Sequence, residues 1–458
     1  MKKIVAWLMA GLLAWICLTG YGTTTAMASD NPAMPDQEAE SAAVSLKALN
    51  LFAGTQTGFE LYRTGTRAEG AVLLVRLLGR ENEAFSEKAA HPFRDVPAWA
   101  AGQIGLLYRA GLTSGTSAAR FGSTDSLTGR QFGAFVLRAL GYADGSDDVY
   151  IQAIPLLLKL GLLDTGDAVA AAPDAPILRA AMVKMASRAL ALPRKGEALT
   201  LMDALVLRGQ VPAPAAGQWL AASLAPKILG NKTGPYAQYL AFHDWIVTQD
   251  SYGYLPAAED PKRILSSEGY TALSLGTGVC GAYAKAMQLL CGAAGLPCNL
   301  VQGEAIGVSG VWTGHAWNQV QIDGDWYQMD VTFDDPLGLA VLRYNYFNVT
   351  DADLAKDHRW DHASFPACMS VAANWFVRNG RNISSWQEFK QTLGEMVQTR
   401  GTGIDLRIQP FQNNVYNEAA IRDVLTETGA VSGYTHSFDR VMGVIRLTDV
   451  RYFQKAAG

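Results

Sequence analysis

The strongest constraint on the fold of this chain is a pair of alternating segments joined by Asp323-Gly324. Residues 314–322 and 325–332 alternate apolar and polar side chains with the period of two that is typical of a half-buried strand. Asp-Gly is a strong signal for a two-residue turn between antiparallel strands. The sequence therefore predicts a β-hairpin, and the turn fixes which residues of its two strands face each other.

In this register Trp317 lies opposite Asp330, and His315 lies opposite Thr332. His315 and Asp330 then share one face as diagonal neighbours, about 7–8 Å apart at the backbone and within side-chain reach. A slip of one residue would place them on opposite faces. The hairpin thus predicts a histidine held by a carboxylate, with one ring nitrogen left as a base. The alternative is a satisfied core histidine beside a surface aspartate.

A cysteine stands where a glycine-rich turn delivers the chain to the start of a predicted helix. Cys280, Ala284 and Met287 fall on one face of that helix. A thiol in the first helical turn meets unpaired N–H groups and the positive end of the helix dipole, which lower its pKa. A lone cysteine on an apolar face is usually core filling. Together with His315 and Asp330, however, Cys280 completes a nucleophile, a base and an orienting acid.

The motifs around these three residues resemble the bacterial transglutaminase-like family. They are Gly278-Val279-Cys280-Gly281-Ala282-Tyr283-Ala284, Gly295-Leu296-Pro297-Cys298, His315-Ala316-Trp317-Asn318, Asp323-Gly324-Asp325-Trp326-Tyr327 and Asp330-Val331-Thr332-Phe333-Asp334-Asp335-Pro336. The resemblance covers about 236–366 and implies a papain-like fold, with the cysteine helix packed on an antiparallel sheet that carries the histidine and the aspartate. It also implies acyl transfer through a thioester that is released to an amine or to water. Gly281 and Phe333 depart from the common Gln and Trp of the family, and neither replaces a member of the triad.

Aromatic residues near the predicted triad are candidates for substrate contact and for oxyanion stabilisation. Trp317 is expected to line a substrate groove or to shield the thiol–imidazole pair from water, and the alternative is an ordinary place in the sheet core. The backbone N–H of Cys280 is the expected oxyanion donor, with a partner around Tyr252 or Tyr254.

From about 45 to 208 the chain is helical in pattern and weakly repeats itself. The second helices of three helix-loop-helix units begin near Thr66, Thr128 and Leu178, at spacings of about 50–60 residues. Such units bury their apolar faces against one another. They resemble the S-layer homology (SLH) repeat, a family that typically arranges three repeats in a bundle and holds a secreted protein to anionic cell-wall polysaccharide.

Two arginines of these repeats are the predicted wall contacts. Arg67 and Arg179 follow the helix entrances of the first and third units, and a guanidinium fork suits carboxylate or pyruvyl groups. The alternative is that both arginines only close the N-terminal turns of their helices. The match to the repeat is partial, because Gln131 and Ala181 stand where the family has Glu.

The remaining segments complete a predicted multidomain α+β organisation. Residues 29–44 are expected to be a flexible leader, 209–235 a linker, and 372–458 a small α/β region of unknown role. In this last region the sequence predicts helices at 386–397 and 418–427 and strands at 405–410 and near 441–453. The predicted architecture is an all-α SLH-like repeat bundle at 45–208, a papain-like, transglutaminase-like α+β core at 236–371 and the C-terminal α/β region.

The first 28 residues have the features of a secretory signal peptide. Two lysines precede an uncharged apolar run that ends at Leu18, and Ala26-Met27-Ala28 is a small-x-small cleavage site. Cys17 raises the question of a lipoprotein anchor, but the bulky Ile16 before it favours plain secretion. No later stretch is long and apolar enough to be a membrane span.

Charge and cysteine content narrow the function classes. The net charge of −4 gives no reason to expect nucleic acid as a partner, since a phosphate-binding surface needs concentrated Lys and Arg.

Asp357-His358 and Asp361-His362 resemble metal ligands, but zinc needs three or four converging ligands and no clear complement lies nearby, so we expect no metal and no cofactor. Beyond the signal the cysteines fit one reactive thiol plus buried or partly paired residues, and two ordinary disulfides are the alternative; they are Cys280, Cys291, Cys298 and Cys368.

The sequence thus predicts a secreted enzyme, extracellular or associated with the cell wall, that transfers acyl groups from protein or peptide amides. Hydrolysis is favoured over transglutamination because no dedicated amine site is visible. The first alternative is a non-catalytic cell-wall or protein-binding module that keeps the fold and the triad. The second is a structural surface protein whose repeats are the active part. The expected partners are a protein or peptide substrate and, through the repeats, cell-wall polysaccharide.

Overall fold

A computed structural model describes residues 36–86, 90–142, 148–255, 265–307, 310–335 and 341–454 as a mixed α+β structure with two four-stranded sheets. The predicted signal peptide lies outside these residues, as does the first part of the predicted leader, residues 29–35. Within the described ranges, no helix combines the length and the apolar character that a membrane crossing requires.

Part of the predicted leader is helical, so the expectation of a flexible segment up to residue 44 is wrong. The first helix, α1, spans Gln37–Ala48. It begins two residues after Pro35, beyond which no proline interrupts the helical pattern. Ala39, Ala43 and Leu46 lie on one side of this helix and are fully buried, and this burial stabilises the helix.

Short helices make up the described part of the chain between residues 49 and 207. They are α2 (Arg67–Leu77), α3 (Glu81–Ser86), a 3-10 turn at Ala98–Ala100, α4 (Ala101–Arg109), α5 (Gly129–Ala139), α6 (Asp148–Ile151), α7 (Ala153–Lys159), α8 (Ala168–Ala171), α9 (Arg179–Leu190) and α10 (Leu201–Leu207). Their apolar faces share one core cluster that runs from Ala39 to Ala216.

The predicted helix entrances of the three repeat-like units lie side by side. Isolated β-bridges join Thr64 to Leu178, Thr66 to Ser126 and Thr128 to Pro176. The Thr66 side chain accepts a hydrogen bond from the backbone N–H of Glu69, and the Glu69 carboxylate accepts one from the N–H of Thr66. This reciprocal pairing satisfies two donors that a helix start otherwise leaves open.

Most of the predicted linker, 209–235, is helical. Helix α11 spans Ala213–Leu229, and helix α12 spans Pro235–Gln249. The prolines that suggested a break instead stand at helix starts, where a proline costs no hydrogen bond and its fixed φ favours helix formation. Helix α11 packs on the cysteine helix so closely that a Cβ at Gly217 would come within 2.8 Å of Leu289.

The next part of the chain is a four-stranded antiparallel sheet flanked by helices. A π-helical turn at Thr271–Leu275 precedes α13 (Cys280–Ala293), and then follow β1 (Cys298–Ile306), β2 (Trp312–Ile322), β3 (Asp325–Met329), α14 (Val331–Asp334), α15 (Asp351–Leu354), β4 (His358–Trp360) and a 3-10 turn at His362–Ser364. The strand order is β3-β2-β1-β4. Helices α12 and α13 cover one face of the sheet, and their side chains fill a shared core with β2 and β3.

The predicted hairpin register is confirmed, with one difference at its end. Ile322 pairs with Asp325, and the ladder continues in the expected register to Asn318 and Met329. The chain then leaves the sheet, so the expected pairings of Trp317 with Asp330 and of His315 with Thr332 do not form. The reason is local, because the Asp330 side chain accepts hydrogen bonds from two following backbone N–H groups and starts the short helix α14.

The last part of the chain forms a second sheet of four strands with helices. Its elements are α16 (Trp375–Arg378), β5 (Asn382–Ile383), α17 (Trp386–Gln398), β6 (Ile404–Ile408), α18 (Glu418–Thr428), β7 (Val431–Asp439) and β8 (Val444–Tyr452). The strand order is β5-β6-β8-β7. Arg407 of β6 is 1 % exposed and makes a 2.7 Å ion pair with Asp353, which ties this sheet to helix α15.

Candidate active site

The turn before α13 holds Cys280 in a fixed position at the start of the helix. Gly253 donates a hydrogen bond to the carbonyl of Gly278 over 2.9 Å, and Val279 donates to Ser266 over 2.9 Å. A Cβ at Gly278 would come within 2.4 Å of the Ala282 side chain, so only glycine fits there. Val279 offers no side-chain cap to the first turn of α13.

Asp330 is completely buried and divides its two oxygens between the backbone and an imidazole. One oxygen accepts hydrogen bonds from the N–H groups of Thr332, at 2.9 Å, and Phe333, at 3.1 Å. The other lies 2.6 Å from Nε2 of His315. This is the His–Asp pair that the hairpin predicts, and the helix cap fixes the carboxylate in the plane it needs.

His315 also shares a hydrogen bond with the thiol of Cys280. Because Asp330 engages Nε2, the nitrogen that faces the sulfur is Nδ1. Burial raises the pKa of Cys280, but the hydrogen bond and charge of His315 outweigh it and bring this pKa below that of an ordinary thiol. Burial lowers the pKa of His315, yet the charge and hydrogen bond of Asp330, together with the thiol, raise it to about 10. Thiolate and imidazolium therefore stabilise each other.

The four cysteines of the described residues are all free thiols, so the two-disulfide alternative does not hold in this structure. Cys280 is half-buried, and Cys368 is buried. The thiols of Cys291 and Cys298 interact with each other, where burial and this contact raise the pKa of Cys291 well above its usual range. Only Cys280 has an imidazole partner that favours its thiolate.

Trp317 does not line a groove, so its expected role in substrate contact is wrong. Its side chain is 1 % exposed and donates a hydrogen bond from Nε1 to Gln328 over 2.8 Å. The indole fills the space beside Gly303, where a Cβ would come within 2.8 Å of it. The indole stacks on the His315 ring, with 5.9 Å between the ring centroids, and shields that ring from water. This is the other role that the sequence suggested for Trp317.

The structure brings Tyr252 to the nucleophile. The Tyr252 hydroxyl accepts a hydrogen bond from the backbone N–H of Cys280, and its ring is 43 % exposed. Its backbone forms a parallel bridge with Gly278, which anchors it beside the turn. A hydroxyl and an N–H that meet at one exposed point are the donors that a developing oxyanion requires.

A second histidine, His358, lies against the same carboxylate and was not assigned to this site by the sequence. Its Nε2 is 3.0 Å from Asp330 Oδ2, and its Nδ1 is 2.6 Å from Asp357. The sheet explains the approach, because Gly303 of β1 pairs with His315 on one side and with Trp360 of β4 on the other. The Asp357-His358 dipeptide was the available signal, but its proximity depends on a strand pairing across more than fifty residues.

Among the residues that the structure describes, His315, Asp330 and His358 form a group with the side-chain types of a metal site. Two ligands of one tetrahedral zinc ion lie about 3.3 Å apart, given metal–ligand distances of about 2.0 Å. The 2.6 Å between His315 and Asp330 is shorter and matches a charge-assisted hydrogen bond. Both nitrogens also converge on a single oxygen, so the donor set fits a hydrogen-bonded chain rather than a metal.

The two arginines predicted to contact the wall differ in their surroundings. Arg179 is 2 % exposed, and its guanidinium binds Glu69 at 2.6 Å and the carbonyl of Phe59 at 2.9 Å. It has no surface to offer a wall polymer, so the wall contact expected of it is wrong; its guanidinium contacts the first repeat-like unit rather than closing the N-terminal turn of its own helix. Arg67 is half-buried and donates to the carbonyl of Phe121 over 3.2 Å.

Comparisons with known proteins identify a family for one part of the chain. Residues 222–331 match the family model of the Transglutaminase-like superfamily, so this part of the chain carries a transglutaminase-like domain. A "Cell surface protein" of Thermoanaerobacter kivui is 36 % identical over 151 residues, which are 31 % of this chain and 19 % of that protein. This chain therefore spans about a fifth of the length of that relative.

Two solved structures share a weaker likeness. A proposed cysteine protease from Cytophaga hutchinsonii is 24 % identical, with a TM-score of 0.22, over 25 % of this chain and 37 % of that chain. A crystal structure described as a TGase is 20 % identical, with a TM-score of 0.22, over 28 % of this chain and 34 % of that chain.

Proposed function

We propose that this protein is a secreted cysteine acyl-transfer enzyme of the cell envelope, which acts on protein or peptide amides through a thioester at Cys280. The observation that carries the proposal is the position of the His315 imidazole, which is bonded on one side to Asp330 and on the other to the thiol. The transglutaminase-like match over 222–331 supports it, because this class of domain combines a cysteine with a histidine and an acid.

In the first step the Cys280 thiolate attacks the carbonyl carbon of the amide and forms a C–S bond. The negative charge on the carbonyl oxygen is stabilised by the N–H of Cys280 and the hydroxyl of Tyr252, which donate to it together. When the C–N bond breaks, the imidazolium of His315 gives its proton to the leaving amine. The enzyme is then a thioester, and His315 is neutral.

In the second step an acceptor with an N–H or O–H group attacks the thioester carbon. Neutral His315 takes the proton of this acceptor, and the C–S bond breaks with its electron pair returning to sulfur. Asp330 holds the imidazole in one orientation throughout and stabilises its charged form. Water as acceptor gives protease or amidase activity, and a primary amine gives transglutaminase activity.

Cleavage of casein and incorporation of a fluorescent alkylamine into casein measure the two outcomes in one assay. We expect the Cys280→Ala variant to lose both activities and to lose iodoacetamide labelling of the peptide that contains residue 280. Cys298→Ala is the matched control, because Cys298 is also a half-buried free thiol but has no imidazole partner among the described residues. A wild-type protein that is inactive in both readouts, or a fully active Cys280→Ala variant, would refute the enzyme and favour a binding module.

The envelope location rests on a different set of observations. The predicted signal peptide, the repeat-like helices and the similarity to a protein named for the cell surface support it. We expect the full chain to sediment with purified cell walls through its N-terminal helices. Retention of the chain in the supernatant would discard wall attachment while leaving the acyl-transfer proposal intact.

A further inference from the structure

We propose that His358 is a positioning residue of the same site: held as an imidazolium between Asp330 and Asp357, it fixes the Asp330 carboxylate and weakens its pull on the proton of His315. This inference rests on the proposed function, since it assigns a role within the acyl-transfer site. It extends the triad by a second buried imidazole.

The charge of His358 follows from its two partners. Each ring nitrogen lies within hydrogen-bond distance of a carboxylate oxygen, at 3.0 Å from Asp330 and at 2.6 Å from Asp357. An ionised carboxylate only accepts hydrogen bonds, so both nitrogens must donate, and an imidazole that donates twice is protonated. Burial lowers the pKa of His358, but the bonds to the two acids outweigh it and raise this pKa.

The chain is closed at its far end by Tyr346. The Tyr346 hydroxyl donates to the second oxygen of Asp357 over 2.5 Å, and its backbone carbonyl accepts from the N–H of Asp330 over 3.2 Å. One residue therefore contacts both acids that hold His358. His358 is 1 % exposed, and water does not compete for these bonds.

Two cations share one carboxylate oxygen in this arrangement. Oδ2 of Asp330 accepts from His315 at 2.6 Å and from His358 at 3.0 Å, and the two imidazole rings lie 5.4 Å apart. The positive charge of His358 disfavours a second positive charge on His315 and favours the thiolate of Cys280. His315 consequently releases its proton to the leaving amine more readily than it would beside an unshared aspartate.

The balance of charge around the two rings comes from every element that packs on them. Helix α13 contributes Cys280, α14 contributes Asp330 at its N-cap and Asp334 at its last position, and the segment around β4 contributes Asp357. Tyr346 adds a neutral hydroxyl and itself faces Asp439 of β7. The groups within hydrogen-bond reach of the two rings are thus Cys280, Asp330 and Asp357.

The chain contains a matched control for this histidine. His243 of α12 is also completely buried between two acids, Asp244 at 3.0 Å and Asp334 at 3.2 Å. Burial lowers the pKa of His243, and the two acids raise it to about 9. Unlike His358 it makes no contact with Asp330, so it reports what the loss of a buried, doubly paired imidazole does to stability alone.

The test compares His358→Phe, His358→Gln and His243→Gln in the full chain. Phe removes the donor and the charge, and we expect kcat to fall about ten- to hundredfold with little change in KM, because the acid loses its alignment. Gln keeps an amide N–H at the reach of Nε2 without the charge, so it should recover most of kcat. Loss of the charge should move both limbs of the pH profile of kcat/KM to higher pH, by on the order of one pH unit.

The pH dependence of the rate at which iodoacetamide alkylates Cys280 gives the acid limb without any substrate. A protein that lacks turnover would therefore refute the proposed function, while the effect of His358 on this limb could still be measured. If His358→Phe fails to fold, the Gln variant carries the test. Unchanged pH limbs in His358→Gln, or an equal displacement in His243→Gln, would overturn the proposal. A folded His358→Phe variant with the kcat of the wild type would do the same.

Discussion

Two helices in this molecule differ in whether a side chain caps their N-terminus. At α2 in the repeat-like region, Thr66 and Glu69 cap each other, and the open backbone donors are satisfied within the helix. At α13 in the transglutaminase-like domain, Val279 provides no side-chain cap, and the N–H of Cys280 meets only the exposed Tyr252 hydroxyl. The first arrangement satisfies the helix start with its own side chains, and the second joins the N–H of the nucleophile to a hydroxyl from another segment.

The cations near these two helix starts differ in the same way. Arg179 binds Glu69 at 2.6 Å and is surrounded by carbonyls, so its donors are engaged within the protein. His315 binds Asp330 at the same distance of 2.6 Å through one nitrogen, and its other nitrogen faces a thiol. The difference indicates that a buried ion pair can serve catalysis only when one partner keeps a hydrogen-bonding atom that contacts a reacting group.

The largest expected effect is on kcat/KM, and it should distinguish Asp330 from a second buried acid, Asp334. Asp330→Asn should lower kcat/KM about 10²- to 10⁴-fold, because the amide cannot stabilise the imidazolium and can impose the wrong orientation on His315. Asp334→Asn is the matched control, since Asp334 is equally buried but is paired with His243. Activity assays of the folded variants measure the difference, and an equal loss in both would show that burial rather than the triad sets the effect.

The next effect is on stability alone. Arg179→Ala removes one of the two arginines that pair with Glu69, the other being Arg63, and leaves the carbonyl of Phe59 without its donor, so it should lower the free energy of unfolding by about 1–3 kcal/mol. Arg67→Ala should cost less, because the half-buried Arg67 donates a single hydrogen bond to Phe121. Chemical denaturation measures both losses, while kcat per folded molecule should stay at the wild-type value. A fall in kcat for folded Arg179→Ala would mean that the repeat-like region takes part in the chemistry.

The smallest effect concerns the caps themselves. Thr66→Ala removes the side-chain acceptor of α2 and should cost about 1 kcal/mol. Leu178 stands at the equivalent position before α9, is 42 % exposed and provides no cap, so Leu178→Thr should gain a few tenths to about 1 kcal/mol. Opposite shifts in the denaturation midpoints would confirm the contrast, and a loss for Leu178→Thr would contradict it.

The sequence predicts those parts of the site that depend on local rules. The Asp323-Gly324 turn sets the β2–β3 register, and the placement of Cys280 follows from the glycine-rich turn and the helical period. The pairing of His315 with Asp330 follows from that register. Each of these features is decided within about twenty residues of chain, where turn geometry and periodicity are strong signals.

The features that the sequence does not reveal depend on distant packing. His358 reaches Asp330 only because β4 pairs with β1, and Trp317 is buried because Gly303 leaves room beside it. Arg179 is enclosed by the first repeat-like unit, over one hundred residues earlier in the chain. Helix α11 was missed for a different reason, because Pro212 and Pro214 were interpreted as a linker although they stand at the helix start.

The central claim is that His315 holds Cys280 as a thiolate, and the ultraviolet absorbance of the thiolate tests it directly. When the absorbance of Cys280→Ser is subtracted from that of the wild type, the thiolate band should already be present at a pH below the ordinary thiol pKa of about 8.5. Its imidazolium partner should persist until the pH rises through the His315 pKa of about 10. In His315→Ala the transition should move to or above the ordinary range. A wild-type transition at or above the ordinary range, unchanged by His315→Ala, would contradict the claim.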